Sequence, residues 1–406
     1  MANEYKSRLE KKHAENKFQY KVEVKTDAKW NYPPPPHEPR EPTTQVLQHQ
    51  FTGQLLTSFN ALRDWEKIQI DQDELEYPDG GFEDTDPPSV EEKERKRRIS
   101  RFQTFALEPP RGSTAIDRII RVAIIDNGAD RIRSKFRHMI AKGQSFVTSD
   151  LLGPDRSLPW WMVSDPHGTQ MASLIGQTNY YCRLYIARVG KGHNDVHPAD
   201  AANAVDWAVE QKVDIISISW TLKQGDDGLR DALRKAAARQ TLIFCLTADE
   251  GPISEAWPAS YREFVVSVSA TDRYGRPTAK AARADTIDIQ IPSENMRAPG
   301  PSYIGNVLPT VSGSSVATAL AAGIASLALL LLRTFNPELE LKDAEGDRES
   351  IKRFYTREGI MRVFQKMGGP KTAIQLSKLF RQESTGEAKT LEILEQNWKV
   401  ENFNGD

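Results

Sequence analysis

Residues 310–323 read TVSGSSVATALAAG, and from Val316 to Leu332 the chain carries no charge. An uncharged run of this kind is either a membrane span or a helix buried on all sides. A span needs about 20 predominantly apolar residues, and this one is slightly short and rich in Ala and Gly, so the buried helix is the better reading. Gly313–Ser314–Ser315 would open that helix. A serine there is either a simple cap or a hydroxyl held where amides lack partners and the helix dipole favours negative charge.

Upstream, short β-branched runs alternate with helical patterns. The strand candidates are Ile119–Ile125, Arg183–Val189, Val213–Ser219, Leu242–Leu246 and Phe264–Ser269. Pro198 opens one intervening helix, with Ala201, Ala204, Val205 and Ala208 on one face. A second helix carries Leu229, Ala232, Leu233, Ala236 and Ala237. Near-continuous apolar strands alternating with helices predict an α/β domain whose mostly parallel sheet is covered on both faces. Such sheets place their chemistry at the carboxyl ends of the strands.

Two further residues fall where that rule looks. Asp126 ends the first strand in RVAIIDNGAD, before a tight turn at Asn127–Gly128. His167 stands at a helix start in SDPHGTQMASLIG. Each alone is commonplace: a strand-end Asp is usually a loop cap, and one His among seven proves nothing. Together with Ser315 they supply a hydroxyl, a base, and a carboxylate that fixes the base's tautomer. The order Asp, His, Ser separates the chain from α/β-hydrolases, which run Ser, Asp, His. The elbow of a lipase or esterase is also missing, because Ala317 and not Gly stands two residues beyond Ser315.

Over about residues 116–335 the chain resembles the catalytic domain of subtilisin-like serine peptidases (subtilases, peptidase S8), intracellular fungal members included. VAIIDNGAD resembles the family's aspartate motif, HGTQMASLIG its HGTxxA motif and GSSVATALAAG its GTSMA motif. VDIISIS at 213–219, WPASY at 257–261 and APG at 298–300 follow in the family's order. The resemblance implies a subtilisin-like three-layer fold and peptide-bond hydrolysis through an acyl-enzyme. Ser315 would be nucleophile and one oxyanion donor, His167 base and then acid, and Asp126 the orienting carboxylate. It further implies a polypeptide substrate lying along Ser219, Trp220, Thr247 and Ala248, and no metal or organic cofactor in the chemistry.

The chain departs from that pattern where the family's second oxyanion donor, an asparagine, is expected. LTADEG puts Asp249 there. An ionised carboxylate would repel an oxyanion, and losing one donor costs about 10²–10³ in turnover. A protonated Asp249 could donate if burial or a neighbour such as Glu250 raised its pKa. The competing expectation is therefore a weak or inactive pseudo-enzyme that binds polypeptide and acts as a regulatory module. Trp220 follows the groove strand where the family has a smaller residue, so the indole narrows or fills a subsite. His193, Asp195, His197 and Asp200 lie close together, but Pro198 puts His197 ahead of the helix; a polar loop is the better reading than a metal site.

Length and composition fit this picture. The chain has 406 residues, enough for two or three domains. Its 54 Lys and Arg against 56 Asp and Glu leave a net charge of −2, which argues against a coat for nucleic acid or an anionic membrane. Cys182 and Cys245 sit in apolar runs and read as buried free thiols of an intracellular protein. With no signal segment visible, the expected location is the cytoplasm, with the nucleus as the alternative.

Residues 1–115 are expected to be an N-terminal extension. It holds a polyproline linker at Pro33–Pro36, an amphipathic helix through Val46, Phe51, Leu55, Phe59 and Leu62, and an acidic linker from Asp71 to Glu92. This extension is the candidate docking part for an intramolecular or protein partner. Arg95–Lys96–Arg97–Arg98 reads first as a solvated face, with nuclear import or processing as minority readings. Residues 336–406 are expected to be a helical C-terminal extension, with Ile351, Phe354 and Tyr355, then Ile360, Val363 and Phe364, packing back on the domain.

Overall fold

The computed structural model describes residues 119–131, 136–149, 153–192, 195–247, 249, 251, 255–278, 282, 284–301, 303–304, 310–336, 351–368, 374 and 398–403. The polyproline segment, the helix around Phe51, the acidic linker and the basic cluster at 95–98 lie outside these residues.

Seven strands form one sheet: β1 (Arg121–Asp126), β2 (Ile140–Ser145), β3 (Arg183–Arg188), β4 (Ile215–Ile218), β5 (Leu242–Leu246), β6 (Val266–Thr271) and β7 (Ile289–Pro292). Their spatial order is β2-β3-β1-β4-β5-β6-β7, and every neighbouring pair is parallel. β1 sits inside the sheet, with five of its six residues buried. That is why it reads as an unbroken apolar run. The two edge strands carry no such run. In β2, IAKGQS, only Ile140 is buried, and β7, IQIP, is short and ends in proline. Neither stands among the strands expected from sequence.

Because successive side chains point to opposite faces, each strand feeds two cores. Val122, Ile124, Leu184, Ile186, Ile215, Phe244, Val266 and Val268 face one layer of helices. It holds α1 (His167–Thr178), α4 (Ser314–Phe335) and α5 (Arg357–Met367), numbered in chain order with the two that follow. Ala123, Ile125, Ala187, Ile216, Ile218, Ile243 and Cys245 face the other, built from α2 (Pro198–Glu210) and α3 (Asp227–Ala238). This is the three-layer α/β architecture expected from sequence. α4 is long and apolar enough to cross a membrane, yet 94% of its most apolar window is buried inside the fold. It packs on α1 and on the inner strands, which accounts for its lack of charge.

The chain beyond α4 joins the same core. Ile351, Phe354, Ile360, Val363, Phe364, Met367, Trp398 and Phe403 are all buried in the cluster shared with α4, and the rings of Phe364 and Phe244 meet at 6.0 Å. The Ile374 amide donates to the Gln290 carbonyl at 2.9 Å, giving the β7 edge a partner. Asp288, just before β7, accepts from Arg357 at 2.6 Å, from Arg262 at 3.3 Å and from the Ser267 amide at 3.0 Å. α5 is thereby tied to the sheet by a buried carboxylate as well as by packing.

Two helices, α3 and α5, start with ordinary side-chain caps. Asp226 caps α3 by accepting from the Leu229 amide at 2.8 Å, and Thr356 caps α5 from Gly359 at 3.1 Å. α4 is preceded by Gly313 at φ +120°, which offers no side chain. Its cap comes from a distant part of the chain.

Candidate active site

The carboxyl end of β1 delivers Asp126, 1% exposed. Both of its carboxylate oxygens lie 3.0 Å from Nδ1 of His167. A carboxylate only accepts, so the ring proton belongs on Nδ1 and Nε2 is left as the basic atom. The His167 side chain is 15% exposed, enough to face a cleft while its partner stays dry.

Asn127 knits the two motifs together. Its Oδ1 accepts from the Gly168 amide at 2.9 Å and its Nδ2 donates to the Asp165 carbonyl at 3.2 Å. Asp165 in turn accepts from the His167 amide at 2.9 Å, and the Asn127 amide donates to Asp126 at 2.8 Å. Gly168 permits this approach. A Cβ there would stand 2.1 Å from the Gly128 carbonyl oxygen and 2.6 Å from Asn127 Oδ1. In the sequence Asn127 is simply part of a turn; its link to α1 is made by residues about 40 positions away.

Ser315 is the second residue of α4 and is half-buried. Its carbonyl accepts from Ser219 Oγ at 3.3 Å, so the end of the groove strand and the start of the serine helix touch. The neighbouring Ser314 is fully buried. Its Oγ accepts from the Ala270 amide at 3.1 Å, which leaves the hydroxyl proton free to donate elsewhere.

That proton goes to Asp249. Ser314 Oγ lies 2.5 Å from Asp249 Oδ1 and the Ser314 amide donates to Asp249 Oδ2 at 2.8 Å. The carboxylate is therefore the missing cap of α4, where a negative charge is favoured by the helix dipole. A Cβ on Gly313 would lie 3.1 Å from Asp249 Oδ2, so glycine leaves room for the contact. This corrects the expectation of Asp249 as an oxyanion donor, since both oxygens act as acceptors.

The expected groove residues separate. Ser219 meets Ser315 as above. Trp220 does not line the groove with its side chain. The indole is 2% exposed in the core under α2 and α3, and its Nε1 donates to the Ile125 carbonyl at 2.7 Å. Period-two alternation explains the correction, because Ile216, Ile218 and Trp220 share one face while Ser217 and Ser219 share the other. Thr247 is buried, with its amide and hydroxyl both donating to the Val268 carbonyl, at 2.9 and 3.2 Å. Ala248 lies outside the described residues.

Beyond Trp220 the chain is pinned. Leu222 and Trp257 exchange backbone hydrogen bonds of 2.7 and 3.2 Å. The Tyr261 hydroxyl accepts from the Asp226 amide at 2.7 Å and donates to its carbonyl at 2.8 Å. On the other side of β1, Arg188 is 3% exposed and donates to three carbonyls, of Gly190, Pro159 and Met162, at 3.1, 2.8 and 3.0 Å. Burial pulls its guanidinium below the usual arginine range. Cys182 and Cys245 are buried free thiols, and burial pushes Cys182 up to about 12. His197 precedes α2 in extended conformation, Asp200 sits in its first turn, and His193 is outside the described residues. Among the described residues no group of three His, Cys, Asp or Glu side chains is placed to hold a metal ion.

These features define a doubly covered, parallel α/β domain with a carboxylate–imidazole pair at the carboxyl end of its central strand. The chain belongs to the subtilase family, whose model, Peptidase_S8, matches residues 117–349. It is 28% identical over 216 residues to a thermostable alkaline protease of Halalkalibacterium halodurans, an alignment covering 51% of this chain and 56% of that protein. It is 28% identical over 294 residues to an intracellular serine protease of Paenibacillus polymyxa, covering 64% of this chain and 86% of that one. With the subtilisin-like protease het-Q2 of Podospora anserina it shares 27% identity over 297 residues, covering 63% and 81%.

Proposed function

We propose that the chain is a serine endopeptidase that cleaves polypeptide through an acyl-enzyme on Ser315. Membership of the subtilase family supports peptide-bond hydrolysis of the serine type. The observation that carries the residue assignment is the seating of His167 Nδ1 at 3.0 Å from both oxygens of Asp126. Ser315 Oγ attacks the scissile carbonyl while His167 Nε2 takes its proton. The imidazolium, steadied by Asp126, returns that proton to the leaving amine, and water then repeats the sequence to free the acid. The Ser315 amide, at the start of α4, is one donor to the oxyanion. The name of the relative from Paenibacillus supports an intracellular peptidase, in the cytoplasm on our reading; residues 1–115 are a docking part on the same reading.

One observation favours a second reading. Asp249 stands where a subtilase is expected to supply the second oxyanion donor, and both of its oxygens accept from Ser314 instead. A polypeptide-binding subtilase of weak catalytic power is the alternative. Labelling of the full chain with a fluorophosphonate separates the two. Modification that disappears in Ser315→Ala supports the endopeptidase; a folded wild-type chain that stays unlabelled supports the binding module.

A further inference from the structure

The described residues leave three large hydrophobic side chains exposed: Met162 at 50%, Tyr303 at 40% and Tyr274 at 65%. Two of the three stand together. The Tyr303 hydroxyl accepts from the Val163 amide at 3.0 Å, and that amide is the peptide following Met162. Met162 lies on the segment that runs into His167, and Tyr303 on the segment between APG and the serine helix. The contact thus joins the approach to the base with the approach to the nucleophile.

This pair is built on a rigid floor. Arg188 holds the carbonyls on either side of the two tryptophans, those of Pro159 and Met162. The Trp160 carbonyl accepts from the Ala129 amide at 3.0 Å. The Trp160 ring lies against Gly143 of β2, where a Cβ would come 2.2 Å from it, and Arg131 stands 5.7 Å from its centroid. Trp161 is partly exposed as well. The backbone that carries Met162 is held by a buried arginine and a phenol, so little backbone entropy is lost when something docks there.

Their position is set by sheet order. Asp126 ends β1, Ser219 follows β4 and Thr247 follows β5 on one side of it. The segment carrying Met162 rests on β3 through Arg188 and on β2 through Gly143, on the other side. The backbone around Met162, with Tyr303 bonded to it, thus lies on the opposite side of Asp126 from Ser219 in the sheet order.

The geometry points to Met162 and Tyr303 as a subsite for one apolar side chain of the bound polypeptide, Leu, Met or Phe in class, on the side of His167 away from Ser219. The assignment rests on the polypeptide-binding cleft of the proposed function, and not on turnover.

The test is binding of a randomised peptide array to the full-length Ser315→Ala chain, with Kd of selected peptides measured by fluorescence anisotropy. Leu, Met and Phe are expected to be enriched at one peptide position. Adding Met162→Lys, a change at an exposed site, should weaken those peptides about tenfold and move the preference at that position to Asp and Glu. Tyr303→Ser should weaken them too, whereas Tyr303→Phe keeps the ring and the preference. An array without apolar enrichment, or a profile unchanged by Met162→Lys, overturns the subsite. Fluorophosphonate labelling of the unmutated chain reads the catalytic proposal separately. A shifted array without labelling keeps the subsite and removes the endopeptidase, and labelling with an unshifted array does the reverse.

Discussion

Asp249 is bound to Ser314 twice, through the amide at 2.8 Å and through the hydroxyl at 2.5 Å. A residue three positions past the end of β5 therefore caps the helix that carries Ser315, with no local side chain available at Gly313 to do so. The same carboxylate stands where a subtilase is expected to place a donor. On the proposed mechanism, capping of α4 and stabilisation of the oxyanion compete for one side chain.

Asp249→Asn should relieve that competition. The amide oxygen can keep the contact to the Ser314 amide, while the nitrogen replaces the oxygen that accepted from the Ser314 hydroxyl and becomes a donor. Turnover on a peptide and the rate of fluorophosphonate labelling are expected to rise about tenfold or more, within the ~10²–10³ that a single oxyanion donor is worth. Unchanged kinetics in a folded variant would show that the carboxylate does not limit the reaction.

Asp126→Asn keeps the shape of the pair but puts an amide beside Nδ1, which favours the other tautomer of His167. Turnover should fall about 10³–10⁴-fold with little change in KM or melting temperature. A loss of less than tenfold would remove Asp126 from its orienting role.

Arg188→Met leaves the carbonyls of Gly190, Pro159 and Met162 without their donor in a site 3% exposed. Destabilisation of about 2–4 kcal/mol is expected in denaturant titration, and Arg188→Lys should recover only part of it because an ammonium lacks the planar fork.

Ending the chain at Phe335 should abolish cooperative unfolding, although the three motifs are all retained. The apolar cluster that α4 shares with Ile360, Phe364 and Trp398 would be opened and β7 would lose the Ile374 amide. Circular dichroism and size-exclusion chromatography of the truncated chain measure this. Asp288→Ala in the full chain is the milder version, expected to cost about 2–3 kcal/mol by leaving Arg357 without its carboxylate.

Inner strands were legible because burial on both faces writes a continuous apolar run, as in β1 and β5. The edge strands were not, since β2 needs only Ile140 in the core and β7 is four residues long. Helices α2 and α3 were legible by their spacing; Ala201, Ala204, Val205 and Ala208 are all buried, as are Leu229, Ala232, Leu233 and Ala236.

Trp220 and Asp249 mark the limit of that legibility. An indole after the groove strand reads as a groove residue by adjacency, but strand parity sends it under the sheet to the Ile125 carbonyl. A carboxylate in an asparagine's place reads as a charge facing the oxyanion, but its direction is set by the amide and hydroxyl of Ser314.

The sequence by itself determined the layered parallel α/β architecture, the family, and the three residues on which a nucleophilic mechanism would rest, because periodicity and local motif are properties of neighbours in the chain. Only the tertiary structure decided where Asp249 points, which face Trp220 fills, how Asn127 joins the aspartate turn to the histidine helix, and that residues 351–403 complete the core. Each of these depends on a partner 30 or more residues away, and a hydrogen bond or a packed face of that kind leaves no mark on the order of the residues that make it.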